Sequence, residues 1–524
     1  MKDAPTNKNA LADVSRGGLI FIGGRTGNAL MQFILGLVLI RVISPAEFGL
    51  LGFGNSLMSF FVIISTLGFI SGLPRFIAKY RTRQSDERIA QTVWSSLIIT
   101  VLVSGLVCLL LIALSGQLSR LCSKPGLKQV LTLLPLTIPP IAICQCFTAI
   151  YRGYEKTGPK VIFQDLGTPA IRLALVLVFL AMGITFNDVL LIYLSSAWIL
   201  LGLYIFFVGK HRLLRFPPRF DRRLSGQLLL FSLPLLGIGP VNMVMNWAAT
   251  WVLGLTRPAE EIGFYVSAFL LANMINIPLN GMMYIFLPVS TSLHDLNENQ
   301  ALKELFTQAT KWSFLLVFPF VFFFLTRAPF MVTLCFGPNY ADAANILIYL
   351  AAGYGMLSLF GPNTTALVSI GNTGAVLISS LLGAATVILL CLLLTPIYGS
   401  LGAAMATALS MIVSGAVRAV FLFSRHGIHP FHRQFLVPVV LTALVSVLFL
   451  VFTDLLFGSN IYGNALLFAA VFACSVGSPL ITGHVGQDEV ALLKQLEFRI
   501  HKKEIFTAKL EKILNRRKPV SFPE

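Results

Sequence analysis

Long apolar stretches separated by short polar segments run along almost the whole chain. Most of these stretches reach the roughly 20 residues that an α-helix needs to cross the hydrocarbon core of a bilayer. Alternation of polar and apolar positions over about ten residues would instead indicate a membrane β-barrel. The pattern therefore predicts an all-α polytopic membrane protein. The predicted spans are 16–40, 48–74, 92–114, 129–150, 161–182, 188–209, 227–253, 262–290, 312–335, 343–369, 375–394, 401–424, 435–457 and 462–482.

Composition supports this fold class. Of the 524 residues, 56% are hydrophobic and only 12% are charged, whereas soluble domains carry about 25% charged residues. The first apolar segment follows a polar start and is too long for the apolar region of a signal peptide, so we expect no cleavable leader.

The positions of the basic residues predict the orientation. Of 39 Lys and Arg residues, 30 fall on the side of the N-terminus, six on the other side and three within spans. Cytoplasmic loops of membrane proteins carry the excess of Lys and Arg. We therefore expect a multi-pass protein of the cytoplasmic membrane with both termini in the cytoplasm. Because the net charge of +17 is divided among short segments between spans, it does not indicate nucleic-acid binding.

An internal repeat divides the first twelve spans into two sets of six. Its offset is 213 to 216 residues, and it pairs Pro45 with Pro258, Pro74 with Pro288, and Thr157-Gly158 with Thr373-Gly374. Six is an even number, so both halves enter the membrane from the same side and form a parallel repeat. A chance coincidence of loop prolines is the alternative.

This repeat predicts four parts of the chain. They are an N-terminal six-helix lobe at 1–222, a C-terminal six-helix lobe at 223–434, an extra helix pair at 435–482 and a basic amphipathic tail at 483–524. The tail has the pattern of a helix that lies on the anionic cytoplasmic leaflet. A solvated tail that only sets the topology is equally compatible with its composition.

Three ionisable residues at membrane depth are candidates for function, because charge within a bilayer is costly and marks pathways or ligand sites. Arg25 lies in the first span among glycines, and Asn28 follows it by one turn. Arg172 lies near the middle of the fifth span. Asp165, seven positions before Arg172, is either an ion site or a pairing partner. Structural pairing remains the alternative for both arginines, and it is the preferred interpretation for Arg418.

Carboxamides form a second, uncharged group of candidates. Asn242 and Asn246 lie one turn apart in the seventh span, and Asn273, Asn276 and Asn280 follow the spacing i, i+3, i+7 in the eighth. Side chains at these spacings share one helix face. The row favours a polar cavity between the lobes whose amides bind sugar hydroxyls, although such amides also join helices.

The sequence offers little for catalysis or cofactors. No HExxH, GxSxG or P-loop pattern occurs, and those motifs would indicate a metalloprotease, a hydrolase or a nucleotide site. The seven cysteines show neither metal-ligand nor disulfide spacing. We expect no enzyme activity, no cofactor and no metal, and any transport would use an ion gradient or the membrane potential.

Four segments carry a resemblance to a known family. They are Leu39-Ile40-Arg41-Val42-Ile43-Ser44-Pro45-Ala46-Glu47-Phe48-Gly49, Leu67-Gly68, Gly72-Leu73-Pro74-Arg75-Phe76-Ile77-Ala78 and Tyr151-Arg152-Gly153-Tyr154-Glu155-Lys156. This pattern resembles the polysaccharide-type flippases, such as O-antigen flippases, of the multidrug/oligosaccharidyl-lipid/polysaccharide exporter superfamily. The resemblance implies two lobes around a cationic cavity, alternating access and a polyprenyl-pyrophosphate-linked oligosaccharide as cargo. It also implies that Arg25 contacts the pyrophosphate, while Arg172 has no clear counterpart.

Three functions follow as hypotheses. The first is a flippase in which Arg25 and Arg172 neutralise the pyrophosphate and the Asn row binds sugar. Its partners are a lipid-linked glycan, membrane lipids and, as a further option, a glycan polymerase or transferase. The second is a cation-coupled drug or metabolite antiporter of the same fold, with Asp165 as its ion site. The third is a non-transporting membrane scaffold that recruits glycan enzymes through its tail.

Overall fold

The computed structural model describes residues 7–156, 158–210, 221–236, 238–458 and 460–483, and in the first helix it describes side chains from Gly23 onward. The described chain is almost entirely helical. Its α-helices are α1 (Asn7–Val42), α2 (Pro45–Ser65), α3 (Phe69–Thr82), α4 (Asp86–Leu121), α5 (Pro125–Leu133), α6 (Ile138–Gly153), α7 (Thr168–Leu180), α8 (Phe186–Lys210), α9 (Arg222–Leu236), α10 (Ile238–Thr256), α11 (Ala259–Ala272), α12 (Asn276–Asp295), α13 (Asn299–Phe336), α14 (Ala343–Leu359), α15 (Asn363–Ser369), α16 (Thr373–Tyr398), α17 (Ser400–His426), α18 (Arg433–Phe457) and α19 (Ile461–Ile481).

These helices confirm the predicted fold class. Within the described residues, thirteen helical stretches are long and apolar enough to cross a membrane. The remaining predicted span, 227–253, falls on α9 and α10, which are separated by residue 237 outside the described chain. The chain is therefore an all-α multi-pass membrane protein with about fourteen spans. Apart from its first residue, the predicted tail 483–524 lies outside the described residues.

Several spans are interrupted by irregular backbone, in two cases at a proline or a glycine. The fourth span consists of α5, a 3₁₀ turn at Leu134–Thr137 and α6, and Pro135 within that turn lacks an N–H donor. In the second span, Gly68 has φ +77° between α2 and α3, a conformation that favours glycine. The eighth span is interrupted by a 3₁₀ turn at Asn273–Ile275. The fifth span begins as a π-helix at Lys160–Gly167.

The two halves of the repeat meet at the starts of α2 and α11. A Cβ atom on Gly49 would overlap the carbonyl oxygen of Ala259, and a Cβ atom on Gly263 would overlap the carbonyl oxygen of Pro45. The contact is reciprocal, because each residue is matched by the one 214 positions later. A self-complementary contact of this kind is what a two-fold arrangement produces. It supports the parallel repeat, while the lobe boundaries at 222 and 434 remain predictions.

We call the face of the bundle where α1 begins the starting face, and the face where α1 ends the opposite face. The glycine contact lies at the opposite face. There, Arg41 Nη2 donates to the Leu334 carbonyl over 2.9 Å, and Arg257 Nη2 donates to the Pro396 carbonyl over 2.7 Å. Carbonyl groups near the C-terminus of a helix lack intrahelical partners. Two of the six basic residues on this face thus satisfy helix ends.

The extra helix pair α18 and α19 packs against α13. Arg327 of α13 forms an ion pair with Asp454 of α18. The rings of Phe320 and Phe468, from α13 and α19, lie 5.4 Å apart in an edge-to-face arrangement. The pair is therefore attached to the second half of the bundle through its ninth span.

Lys311 differs from the sequence interpretation. The prediction assigned it to a polar connecting segment, with the ninth span starting at residue 312. In the structure α13 already begins at Asn299, and Lys311 is only 2% exposed. The helix extends because the residues from 299 to 311 include strong helix formers. Removing one lysine from the connecting segments leaves the charge bias intact.

Candidate functional site

A cavity of about 500 Å³ opens between the middle of α1 and the helices α10 to α12. We call it the Arg25 chamber. Six of the predicted site residues line it, namely Arg25, Asn28, Asn246, Asn273, Asn276 and Asn280. Residues from spans that are far apart in sequence thus meet around one space. The sequence pattern alone indicated a shared face within each span, but not that these faces adjoin.

Two polar rows with the same spacing line the Arg25 chamber. On α1 the row is Arg25, Asn28 and Gln32, and around the start of α12 it is Asn273, Asn276 and Asn280. Both follow i, i+3, i+7, which keeps side chains on one helix face. Gln32 was not among the predicted site residues, although its position seven residues after Arg25 is a sufficient signal.

The second row is partly bonded within itself. Asn276 Nδ2 donates to Asn273 Oδ1 over 2.7 Å, and Asn280 Nδ2 donates to the Asn276 carbonyl over 2.8 Å. The Asn276 side chain also bonds to Tyr354. On the α1 side, Asn28 Oδ1 is buried and accepts no hydrogen bond from any described residue. The row combines a helix-joining role with amide groups that remain available to the chamber.

The glycines around Arg25 allow the fifth span to approach α1 closely. A Cβ atom on Gly27 would lie 2.9 Å from the Leu166 side chain, and one on Gly24 would overlap Val161. The π-helix therefore packs directly against α1. As a result, Lys160 and Asp165 come within electrostatic range of the Arg25 guanidinium.

Asp165 is placed with these cations rather than with Arg172. Its electrostatic partners are Lys160 and Arg25. Its Oδ2 atom is buried and accepts no hydrogen bond from the residues described. Arg172 is not among the charged neighbours of Asp165, and the role of Asp165 as an ion or pairing site remains a prediction.

A second cavity of about 520 Å³ continues from the first toward the opposite face. We call it the Arg172 chamber. It shares Gln32, Leu270 and Asn273 with the Arg25 chamber. We place it toward the opposite face because its walls include residues of α2 and α11, such as Phe48 and Val266. The two chambers adjoin at these shared residues and together form one path along the membrane normal.

Arg172 is held by two neighbours from α8. Its Nε atom donates to Ser196 Oγ over 3.2 Å, and its guanidinium carbon lies 4.1 Å from the centre of the Tyr193 ring. A cation over an aromatic face is stabilised by the ring quadrupole. Asn55 in turn bonds to Tyr193. No carboxylate of the described chain pairs with Arg172.

Other candidate residues have separate outcomes. The Asn242 side chain lies outside the described residues, although its backbone belongs to α10. Arg418 donates through Nε to the Ser414 carbonyl over 3.0 Å and bonds to Thr364, as its structural interpretation expects. Gln145, which was not predicted, lines the Arg172 chamber.

An apolar pocket of about 350 Å³ adjoins the Arg25 chamber. Its walls come mainly from aromatic and aliphatic side chains of α13 and α19, including Phe323 and Phe468. Phe33 and Met274 line both this pocket and the Arg25 chamber. A charged region, a row of amides and an apolar space therefore lie side by side.

Comparison with known proteins shows the family to which the chain belongs. The family of polysaccharide biosynthesis proteins matches residues 14–294, which is more than half of the chain. The succinoglycan biosynthesis transport protein ExoT of Rhizobium meliloti (strain 1021) is 24% identical over 342 residues. That match covers 64% of this chain and 65% of the relative, less than two thirds of its length.

Solved structures share the fold at low sequence identity. The lipid II flippase MurJ in an inward closed conformation superposes with a TM-score of 0.70 at 14% identity, covering 88% of this chain and 98% of that one. An inward-facing multidrug resistance transporter of the MATE family gives a TM-score of 0.64 at 14% identity, over 76% of this chain and 94% of that one. These similarities show the fold alone.

Proposed function

Because the chain belongs to the polysaccharide biosynthesis protein family, we propose that it is a flippase for a polyprenyl-pyrophosphate-linked oligosaccharide. The observation that carries the proposal is the Arg25 chamber, where a membrane-embedded arginine faces a row of carboxamides beside an apolar pocket. Each of these three surfaces matches one part of such a molecule.

The chemistry of the match is as follows. An arginine binds phosphate oxygens through its planar set of N–H donors. Carboxamides both donate and accept hydrogen bonds and so complement sugar hydroxyls. The apolar pocket removes the start of the prenyl chain from water. Neither a free sugar nor a purely apolar drug needs all three surfaces.

The structure also supports a direction of loading. The charge bias predicts that the starting face is cytoplasmic. At the opposite face α2 and α11 are in close backbone contact at Gly49 and Gly263, while Arg25, Asn280 and Tyr284 of the Arg25 chamber are exposed. Substrate thus enters the Arg25 chamber from the cytoplasmic leaflet, and rocking of the two predicted lobes moves access to the other side.

The driving force in this proposal is an ion gradient or the membrane potential. An inside-negative potential favours outward movement of an anionic head group by about 2.3 kcal/mol per charge per 100 mV. The antiporter alternative requires a carboxylate that exchanges cations. Asp165 lies within electrostatic range of Lys160 and Arg25, and these fixed cations disfavour such a site.

The test is transport of a fluorescent lipid-linked oligosaccharide by purified protein in proteoliposomes. We expect Arg25→Ala to lower the rate at least about tenfold, since a charge-assisted hydrogen bond is worth about 1.5–3 kcal/mol. Arg25→Lys should retain part of the rate because it keeps the charge. Arg120→Ala, which removes an exposed arginine far from the chamber, is the matched control.

Unchanged transport by a correctly inserted Arg25→Ala protein would refute the proposed role of the chamber. Absence of transport by the wild-type protein, together with exchange of small cationic solutes, would favour the antiporter alternative instead.

A further inference from the structure

Each chamber of the path contains one arginine. Arg25 lines the chamber near the starting face, and Arg172 lines the chamber toward the opposite face. Both belong to the first half of the chain, whereas the second half contributes carboxamides such as Asn273, which lies where the chambers join. The first half therefore carries two positive charges placed one after the other along the membrane normal.

The two arginines line different chambers. Arg25 belongs to the wall of the Arg25 chamber and Arg172 to that of the Arg172 chamber, and neither residue lines both. Gln32, at the junction of the chambers, follows Arg25 by seven residues. Arg172 donates to Ser196 of α8, which holds its guanidinium beside the second chamber.

Arg172 also lacks a counter-charge. Its Nε atom is used by Ser196 and its face by Tyr193. No described residue accepts a hydrogen bond from its Nη atoms, and no carboxylate of the described chain lies near it. A cation at membrane depth without a carboxylate is costly, and a bound anion would compensate it.

We propose that the Arg172 chamber is a second phosphate-binding site, which receives the diphosphate group after it leaves Arg25. This inference rests on the proposed function and adds an order of events to it. A single deep cation would hold the anion too tightly to release it, whereas successive sites of moderate affinity permit both entry and exit. The hand-over takes place past Gln32 and Asn273, whose amides solvate the head group in transit.

Binding and transport measured on the same variants separate this proposal from a purely structural role. The probe for binding is tritiated farnesyl pyrophosphate with detergent-solubilised protein. Transport uses the lipid-linked oligosaccharide in proteoliposomes. Arg25→Gln should lower both the affinity and the transport rate at least about tenfold. Arg172→Gln should leave the affinity within about twofold while lowering the transport rate at least about tenfold, because loading precedes the hand-over.

Two further variants test the role of charge against packing. Arg172→Lys should recover part of the transport rate, since it keeps the charge but loses the planar stacking on Tyr193. Ser196→Ala removes the Nε partner without removing the charge, so it should lower the transport rate less than Arg172→Gln does. Thermal unfolding of each variant identifies any that is merely misfolded.

Several results would overturn the second site. They are normal transport by Arg172→Gln, an equal loss of farnesyl pyrophosphate affinity in Arg25→Gln and Arg172→Gln, or equal losses of transport and stability in Arg172→Gln and Ser196→Ala. Failure of the wild-type protein both to bind the probe and to transport would instead overturn the proposed function on which the site rests.

Discussion

The asparagines of the Arg25 chamber differ in how far their side chains are used within the protein. Asn276 bonds to Asn273 and to Tyr354, so it joins the broken eighth span to the tenth. Asn280 uses only its Nδ2 atom, on the backbone of its own helix, and it is exposed to the chamber. Neighbouring members of one row are thus expected to respond differently to substitution.

We predict that Asn276→Leu lowers the free energy of unfolding by about 1–3 kcal/mol, because Asn273 and Tyr354 each lose a partner. Asn280→Leu should change stability by less than about 0.5 kcal/mol but lower oligosaccharide transport. Thermal unfolding in detergent and transport in proteoliposomes measure the two effects. Equal loss of stability in both variants would contradict this division of roles.

For single residues, the sequence predicts which side chains share a helix face better than it predicts which side chains share a cavity. Asn273, Asn276 and Asn280 were predicted together because their spacing places them on one face. Gln32 was predictable in the same way. The separation of Arg172 from Arg25 was not, because helical periodicity says nothing about how two spans are displaced along the membrane normal.

Among the helices, the contact of α2 with α11 is the element whose geometry bears most directly on transport. The backbones approach so closely that neither Gly49 nor Gly263 has room for a methyl group. Under the proposed alternating access, we expect these two helices to separate when the opposite face opens, so that their contact contributes to the balance between the two states.

We predict that Gly49→Ala shifts this balance toward an open opposite face, because the added methyl group overlaps the Ala259 carbonyl. The measurement is labelling of Leu51→Cys, a residue of the Arg172 chamber, by a membrane-impermeant maleimide in a background without other cysteines. We expect labelling from outside the cell to increase at least about threefold, as a bias of under 1 kcal/mol produces.

Gly116→Ala is the matched control, because a Cβ atom at Gly116 meets nothing within 4 Å. It should leave the labelling unchanged. Unchanged labelling in Gly49→Ala as well would show that this contact does not govern access.

The breaks within spans were only partly predictable. Prolines and glycines signal a break, as at Pro135 and Gly68, because the first lacks a donor and the second permits positive φ. The π-helix at Lys160–Gly167 has no comparable signal, since its widening depends on packing against α1. That packing is a tertiary effect, which local sequence does not encode.

For the molecule as a whole, the predicted tail at 483–524 can be tested separately from the helical bundle. We predict that deletion of residues 484–524 leaves proteoliposome transport within about threefold of the wild type, because the described bundle already encloses both chambers. Complete loss of export in cells, with normal transport by the purified protein, would support recruitment of a glycan polymerase or transferase through the tail.

Hydropathy predicted the approximate number of spans, because it depends on the bilayer rather than on neighbouring helices. It did not predict how far the helices continue beyond the membrane. Lys311, which is buried within α13, is an example. A lysine near the edge of an apolar stretch indicates the end of a span, and the sequence pattern does not show that it packs inside the bundle.

The reciprocal glycine contact also bears on how the two halves have diverged. Elsewhere in the chain each half can accumulate substitutions alone, and the signs of duplication fade. At Gly49 and Gly263 each position faces the backbone of the other half, so neither can enlarge unless its counterpart withdraws. A larger residue at either position would therefore require a matching change in the other half.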